Sequence, residues 1–121
     1  MSTQDIKALD SELNKMILSG QALEAFEKFY ADDVVMQENT GTPFKGKDVN
    51  RQREIDFFSS IEQFHGAELL AGGLGDGVSF GEWVYDVTFK GKGRVKMEQV
   101  SVRRWKGGKV VHERFYYEGS H

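Results

Sequence analysis

The fold is decided by the stretch VSFGEWVYDVTFKGKGRVKMEQVSVRRWKGGKVVHERFYY, residues 78–117. Apolar and polar residues alternate along three of its segments, as they do in strands that bury one face. Lys90–Gly93 and Lys106–Gly108 separate these segments, and their glycines supply the positive φ angles that tight hairpins need. A fourth segment comes earlier, before the glycine-rich turn at 72–77. The sequence therefore predicts an antiparallel meander whose strands are about Glu62–Ala71, Val78–Phe89, Arg94–Trp105 and Lys109–Tyr117.

Helical periodicity precedes the meander. Between Thr3 and Gly20, apolar residues recur at spacings of three and four, which predicts an amphipathic helix. A shorter helix follows up to Phe29, and the β-branched Val34 begins a strand that ends near Glu38. A polar helix is predicted next, at Lys47–Ser60, with inward side chains at Val49, Ile55, Phe58 and Ile61. Helices packed on one face of a mostly antiparallel sheet make the predicted fold class α+β.

The composition limits the chain to one domain and excludes several kinds of chemistry. Its 121 residues fit a single domain that spans 1–121. With no cysteine there are no disulfides and no thiolate zinc sites, and the three histidines lack partners at ligand spacing. The sequence therefore predicts no metal and no cofactor. Because the start, Met1 to Asp10, is polar and carries both signs of charge, no signal peptide is expected. No run of about eighteen apolar residues occurs, so no membrane span is expected, and the cytoplasm is the expected location.

Positive charge is concentrated at residues 90–109, which hold eight lysines and arginines against one acid, Glu98. Clustered cations can bind the phosphates of a nucleic acid. An overall pI near 5.6 instead favours a solvated sheet surface that pairs with the acidic helices. A phosphate-loop-like segment at 41–47 is followed by Asp48 in place of the Mg²⁺-binding hydroxyl residue, so its charge would repel phosphate. The sequence therefore predicts no nucleic-acid partner and no nucleotide site.

Polar side chains share one face of the predicted strands with aromatic ones. Because buried polar groups are costly unless something satisfies them, this mixture is typical of a ligand cavity. The predicted ligand-binding residues are Trp83, Tyr85, Gln99, Arg103, Glu113, Phe115 and Tyr117. An alternative for two of them, Arg103 and Glu113, is a structural ion pair between neighbouring strands, which is the more frequent arrangement.

The opposite face of the predicted strands carries an apolar stripe. Its residues are Val100, Val102, Val110 and Tyr116. Soluble monomers seldom leave such a stripe bare. The charged residues that frame it, such as Glu98 and Arg104, are typical of the polar rim of an interface. The sequence therefore predicts a homodimer that forms through the outer face of the sheet.

Four motifs along the chain resemble the SnoaL-like branch of the nuclear-transport-factor-2-like superfamily. They are Phe29–Met36, Gly41–Asp48, Arg103–Val111 and Glu113–Tyr117, in this order and spacing. The resemblance implies a curved sheet wrapped around about three N-terminal helices, cone-shaped with an internal pocket, and usually a dimer. It implies less about chemistry, because the superfamily includes isomerases, cyclases, dehydratases, epoxide hydrolases and proteins without catalysis.

Ketosteroid isomerases of this superfamily place a general-base aspartate where the resemblance aligns Glu38. Their oxyanion-donating tyrosine falls in the first helix, where this chain has Leu13 or Asn14, and their second acid aligns with Ser101. A carboxylate is thus retained, whereas both oxyanion donors differ. Epoxide hydrolases of this fold need an Asp-Arg-Asp set, which this chain does not carry at the aligned positions.

Two functions remain open on the sequence. In the first, Glu38 is a general base that acts on a small apolar carbonyl compound, and Ser101 donates a hydrogen bond to the developing oxyanion. Gln99 or Tyr117 could also supply this donor. In the second, the same cavity holds a hydrophobic ligand without turnover, which would account for the altered donors.

Overall fold

The computed structural model describes residues 2–118. It contains three helices, α1 (Thr3–Leu18), α2 (Ala22–Phe29) and α3 (Lys47–Ser59). The strands are β1 (Tyr30–Glu38), β2 (Phe44–Lys45), β3 (Ile61–Gly75), β4 (Val78–Phe89), β5 (Gly93–Lys106) and β6 (Lys109–Tyr116). The predicted α+β class and the four-strand meander are confirmed. No helix within residues 2–118 is long and apolar enough to cross a bilayer.

The six strands form one sheet in the order β2-β1-β6-β5-β4-β3. All neighbours are antiparallel except β1 and β6, which run parallel. The first long strand therefore lies beside the last one. This arrangement brings residues from both ends of the chain to the middle of the sheet.

The core lies between the inner face of the sheet and the helices. Ser2 and Asp5 form a capping box at the start of α1, which fixes where that helix begins. The apolar side of α1 then buries Ile6 and Leu13. The other members of the main core cluster are Ala25, Phe26, Phe29, Tyr30, Val34, Met36, Trp105 and Val110.

The position of Val110 corrects the prediction that it belongs to the outer stripe. Opposite β5, Arg104 pairs with His112 and Trp105 pairs with Val110, so the register skips Val111. Such a bulge reverses which side chains face inward on one side of it. Val110 is consequently fully buried in the core.

The inward face of α3 also differs from the prediction. Val49 is 49% exposed and Ile55 is 38% exposed, whereas Asn50 is fully buried. The Asn50 side-chain amide donates hydrogen bonds to the carbonyls of Phe44 and Gly46, at 3.0 and 2.8 Å. Asn50 is thus buried against backbone carbonyls, whereas Glu54 and the predicted inward residue Phe58 line a cavity.

Candidate functional site

A cavity of about 730 Å³ lies between the inner face of the sheet and the helices. Its wall is rich in aromatic side chains, namely Phe26, Tyr30, Phe57, Phe58, Phe64, Trp83, Tyr85 and Phe115. Trp83 and Tyr85 stack in parallel on β4, with ring centroids 5.8 Å apart. The polar residues of the wall include Glu38, Arg53, Glu54, Gln99, Ser101, Arg103 and Glu113. A mainly apolar cavity with a few converging polar groups is the usual form of a small-molecule site.

Arg103, on β5, is one of the most buried polar residues of the wall. Its Nε donates to Glu113 at 2.9 Å, and its Nη1 donates to Asp10 at 2.8 Å and to Asn14 at 2.6 Å. The Tyr30 hydroxyl donates to the other Glu113 oxygen. Arg103 and Glu113 are only 4% and 2% exposed. We call these residues, Asp10, Asn14, Tyr30, Arg103 and Glu113, the buried network.

The buried network is satisfied by its own members. Asp10 also accepts a hydrogen bond from Ser79 at 2.7 Å, and it does not line the cavity. Burial, together with the charge of Glu113, raises the pKa of Tyr30 well above its ordinary value, so the phenol keeps its proton. The geometry is that of the structural ion pair that the sequence offered as an alternative for Arg103 and Glu113.

Two hydrogen-bond donors on β5 face the cavity beside this network. Ser101 accepts a hydrogen bond from Trp83 Nε1 at 3.3 Å, which leaves its own hydroxyl proton available. Within residues 2–118, neither this proton nor the Gln99 amide has an acceptor in the protein. Both groups can therefore donate to an oxygen atom of a bound molecule.

Glu38 lies at the rim of the cavity, at the end of β1. One of its oxygens accepts a hydrogen bond from Arg53 at 2.9 Å, and the other accepts one from the Tyr117 hydroxyl at 3.0 Å. Its side chain is 41% exposed. Burial and the hydrogen bond to Glu38 raise the pKa of Tyr117 to about 12, so this phenol remains a donor. We call Glu38, Arg53 and Tyr117 the rim cluster.

Glu54 follows Arg53 on α3 and faces the cavity. Within residues 2–118, its carboxyl group makes no hydrogen bond and no ion pair. Burial raises the pKa of Glu54 to about 7, the charge of Glu113 adds to this rise, and Arg53 opposes it. Glu54 is therefore a carboxyl group of the cavity wall that no donor among these residues engages.

A family model of the SnoaL-like domain matches residues 1–117. The chain belongs to the SnoaL-like domain family. The family predicted from the four sequence motifs is thereby confirmed. No curated protein matches the sequence of this SnoaL-like domain.

Solved structures share the fold of this SnoaL-like domain over nearly its whole length. A Mesorhizobium loti protein that is provisionally named a SnoaL-like polyketide cyclase is 27% identical, with a TM-score of 0.83, and the match covers 97% of this chain and 100% of that one. An NTF2-like protein of Burkholderia pseudomallei of unknown function is 14% identical, with a TM-score of 0.80 and coverages of 98% and 92%. An LEH-like epoxide hydrolase of M. tuberculosis is 17% identical, with a TM-score of 0.73 and coverages of 97% and 84%.

Most of the site residues predicted from the sequence lie in the cavity wall of the SnoaL-like domain. The cavity wall contains Glu38, Trp83, Tyr85, Gln99, Ser101, Arg103, Glu113 and Phe115. Tyr117 lies just after β6 and reaches the cavity rim through its hydrogen bond to Glu38. The roles assigned to these residues stay predictions. Within residues 2–118, no group of three or more His, Asp or Glu side chains could hold a metal ion.

Sequence reasoning missed Glu54. It missed the residue because α3 was expected to turn Val49 and Ile55 inward. A signal was present, since Asn50, Glu54, Phe57 and Phe58 share one helical face at spacings of three and four. In this SnoaL-like domain the helical face with Glu54, Phe57 and Phe58 lines the cavity, rather than the face with Val49 and Ile55.

Proposed function

We propose that this SnoaL-like domain binds a small, largely apolar carbonyl compound in its cavity and transfers a proton to and from it. One observation carries the proposal: the unused donors Ser101 and Gln99 share an aromatic cavity with carboxyl groups on β1 and α3. Isomerases, cyclases and dehydratases that act on carbonyl compounds share this first step, the removal of a proton next to the carbonyl group.

The roles follow from the positions of the groups. The carbonyl oxygen accepts hydrogen bonds from Ser101 and Gln99, which strengthen as negative charge develops on it. The aromatic wall excludes water, so these electrostatic interactions act in a medium of low dielectric constant. A carboxylate of the wall removes the proton from the neighbouring carbon atom.

Glu38 is the base that the sequence predicts. It lines the cavity, but both of its oxygens already accept hydrogen bonds from the rim cluster. A substrate that approaches Glu38 therefore competes with Arg53 and Tyr117 for its oxygens. In this respect Glu38 differs from a carboxyl group whose oxygens accept no hydrogen bond from the protein.

Binding without turnover is the second candidate function. It is favoured by the buried network, whose polar groups are already occupied by one another. It is also favoured by Ser101, which stands where the resemblance would place a catalytic acid. In this case Ser101 and Gln99 would only orient a carbonyl-containing ligand.

Exchange of hydrogen for deuterium tests the proposal. We expect the protein to accelerate exchange at the carbon next to the carbonyl group of cyclohexanone or 1-tetralone in D₂O, followed by NMR. Loss of one oxyanion donor in Ser101→Ala should lower the exchange rate by about a hundredfold. The matched control Ser59→Ala, at an exposed position on α3, should leave it unchanged.

The other outcomes of this experiment separate the two functions. A ketone that shifts the NMR signals of the cavity residues but exchanges only at the buffer rate would show a binding module. The absence of both binding and exchange for every ketone in the panel would refute both functions.

We also propose that the protein is a homodimer through the outer face of its sheet. The most exposed apolar residues of this face are Leu70, Phe80, Val100 and Tyr116, at 55%, 41%, 38% and 42%. Along β5, the outward residues run from Arg104 through Val102 and Val100 to Glu98. A two-fold axis across this stripe places the Arg104 end of one copy against the Glu98 end of the other, which makes the face complementary to itself.

Val102→Glu tests the dimer. We expect light scattering at micromolar concentration to give twice the 13.7 kDa chain mass for the unmodified protein. The variant places two like charges against each other near the axis and should give a single-chain mass. Val49→Glu introduces the same charge at an exposed position on α3 and should remain dimeric. A single-chain mass for the unmodified protein would refute the dimer.

A further inference from the structure

We infer that Glu54 on α3 takes up and returns the proton in the cavity, while Glu38 holds the cavity rim with Arg53 and Tyr117. The inference rests on the proposed function, because it names the residue that performs the proposed proton transfer. It assigns a catalytic role to a side chain that neither the family resemblance nor the sequence pattern singles out.

The first support is the fixed position of Glu54. Asn50 lies one helical turn before it and is fully buried. Its hydrogen bonds to the carbonyls of Phe44 and Gly46 tie the start of α3 to β2 and to the turn that precedes the helix. A catalytic group on a rigid element is positioned more accurately than one on a loop. Glu54 is therefore held toward the cavity by the backbone of α3 itself.

The second support is that the Glu54 carboxyl group is free. Glu113 is bound by Arg103 and Tyr30, and Glu38 is bound by Arg53 and Tyr117. Within residues 2–118, Glu54 has no such hydrogen-bond donor. A substrate can thus reach a Glu54 oxygen without breaking an interaction of the protein.

The third support is the charge around Glu54. The charged groups that face it are Arg53 on its own helix, Glu38 on β1 and Glu113 on β6. The charge of Glu54 also acts on the phenols of Tyr30 on β1 and Tyr85 on β4. Glu113 itself is paired with Arg103 on β5. Two of the three charged neighbours are carboxylates, so they favour the neutral form of Glu54. Burial is the main cause that raises the pKa of Glu54 to about 7; Glu113 and Glu38 add to the rise and Arg53 opposes it. A base with this pKa is half deprotonated at neutral pH.

The step is balanced without any further reactant. A Glu54 oxygen takes the proton from the carbon next to the carbonyl group, and the electron pair of the broken C–H bond forms a C=C bond. The carbonyl π electrons move to the oxygen atom, where Ser101 and Gln99 donate hydrogen bonds. If a deuteron from the solvent replaces the proton on Glu54 before reprotonation of the same carbon, the result is exchange. If the substrate is unsaturated, so that a dienolate forms, return of the proton to the far carbon of the dienolate gives isomerisation.

The experiment compares Glu54→Gln with Glu38→Gln in the ketone exchange assay. We expect Glu54→Gln to lower the exchange rate by about a hundredfold or more, as loss of a general base does. Glu38→Gln should lower it by no more than about tenfold. The exposed control Glu24→Gln on α2 should keep the full rate. Glu54→Asp retains the carboxylate on a shorter stem and should recover part of the activity.

The pH dependence supplies a readout that a structural role of Glu54 would not give. Because the base must be deprotonated, the exchange rate should rise with pH and level off above about pH 7. Carbon-13 NMR of the glutamate carboxyl groups should show one signal that titrates near that pH and is missing in Glu54→Gln. Titration of the Glu54 signal in the ordinary glutamate range would overturn the inference.

The failure of the inference and the failure of the proposed function are distinguishable. Suppose that the unmodified protein exchanges the ketone, that Glu38→Gln abolishes this exchange and that Glu54→Gln leaves it intact. The inference is then wrong and the proposed function stands. If the unmodified protein gives no exchange at all, the proposed function falls, and the catalytic role of Glu54 falls with it.

Discussion

Replacing Arg103 by methionine should lower the free energy of unfolding by about 3–5 kcal/mol. The substitution keeps much of the side-chain volume but removes the cation that Glu113 and Asp10 share, at 2.9 and 2.8 Å. Two buried carboxylates would then lack a cation and would keep only their neutral hydrogen-bond donors, such as Tyr30 and Ser79. Since small domains are stable by only about 5–15 kcal/mol, this loss would consume much of the total.

Urea denaturation followed by tryptophan fluorescence measures the loss. Arg94→Met is the matched control, because Arg94 forms an ion pair with Asp86 at 2.8 Å but its side chain is 61% exposed. An exposed pair of this kind contributes at most about 1 kcal/mol. If Arg103→Met cost as little as Arg94→Met, the buried network would not be the structural centre that its hydrogen bonds indicate.

Val110→Glu should prevent the chain from folding, whereas Val102→Glu should leave the fold intact. Val110 is fully buried in the main core cluster beside Trp105, so a glutamate there would place a charge among apolar side chains. An isolated buried charge costs several kcal/mol or more even after relaxation. Val102 lies on the outer face of β5, outside the main core cluster, where a charged side chain can reach water in the single chain.

Far-UV circular dichroism and the dispersion of amide NMR signals distinguish the two variants. Val110→Glu should show no cooperative unfolding transition. Val102→Glu should retain a cooperative unfolding transition. We expect it to change only the molecular mass that light scattering measures. Cooperative unfolding of Val110→Glu close to that of the unmodified protein would contradict the inward placement of Val110.

The sequence predicted the meander well because its signals are local. Alternation marks the strands, and Gly91, Gly93, Gly107 and Gly108 have the positive φ angles that the two hairpins require. The same reasoning failed at Val110, since alternation carries no sign of a bulge. The register shift arises where Trp105 and Val110 both enter the core, which only the packed structure reveals.

The candidate site was predictable only in part, for a different physical reason. Residues on β4 and β5 could be assigned to the cavity because strand periodicity sorts them by face. Glu54 could not, because sequence reasoning turns the most apolar face of a helix inward. That rule holds for a helix on a packed core, whereas α3 also covers a cavity that accommodates polar groups. Asp10 was missed similarly, because its partner Arg103 lies 93 residues later.

The parallel pairing of β1 with β6 has a consequence for synthesis on the ribosome. Tyr30 and Glu113 are 83 residues apart, and β6 lies in the sheet between β1 and β5. Until β6 has left the exit tunnel, β1 lacks its parallel neighbour and the charge of Arg103 lacks Glu113. The cavity therefore cannot form step by step as successive strands leave the ribosome. The sheet closes only after β6 has emerged, and until then the unpaired edge of β5 is open to chaperones or to other nascent chains.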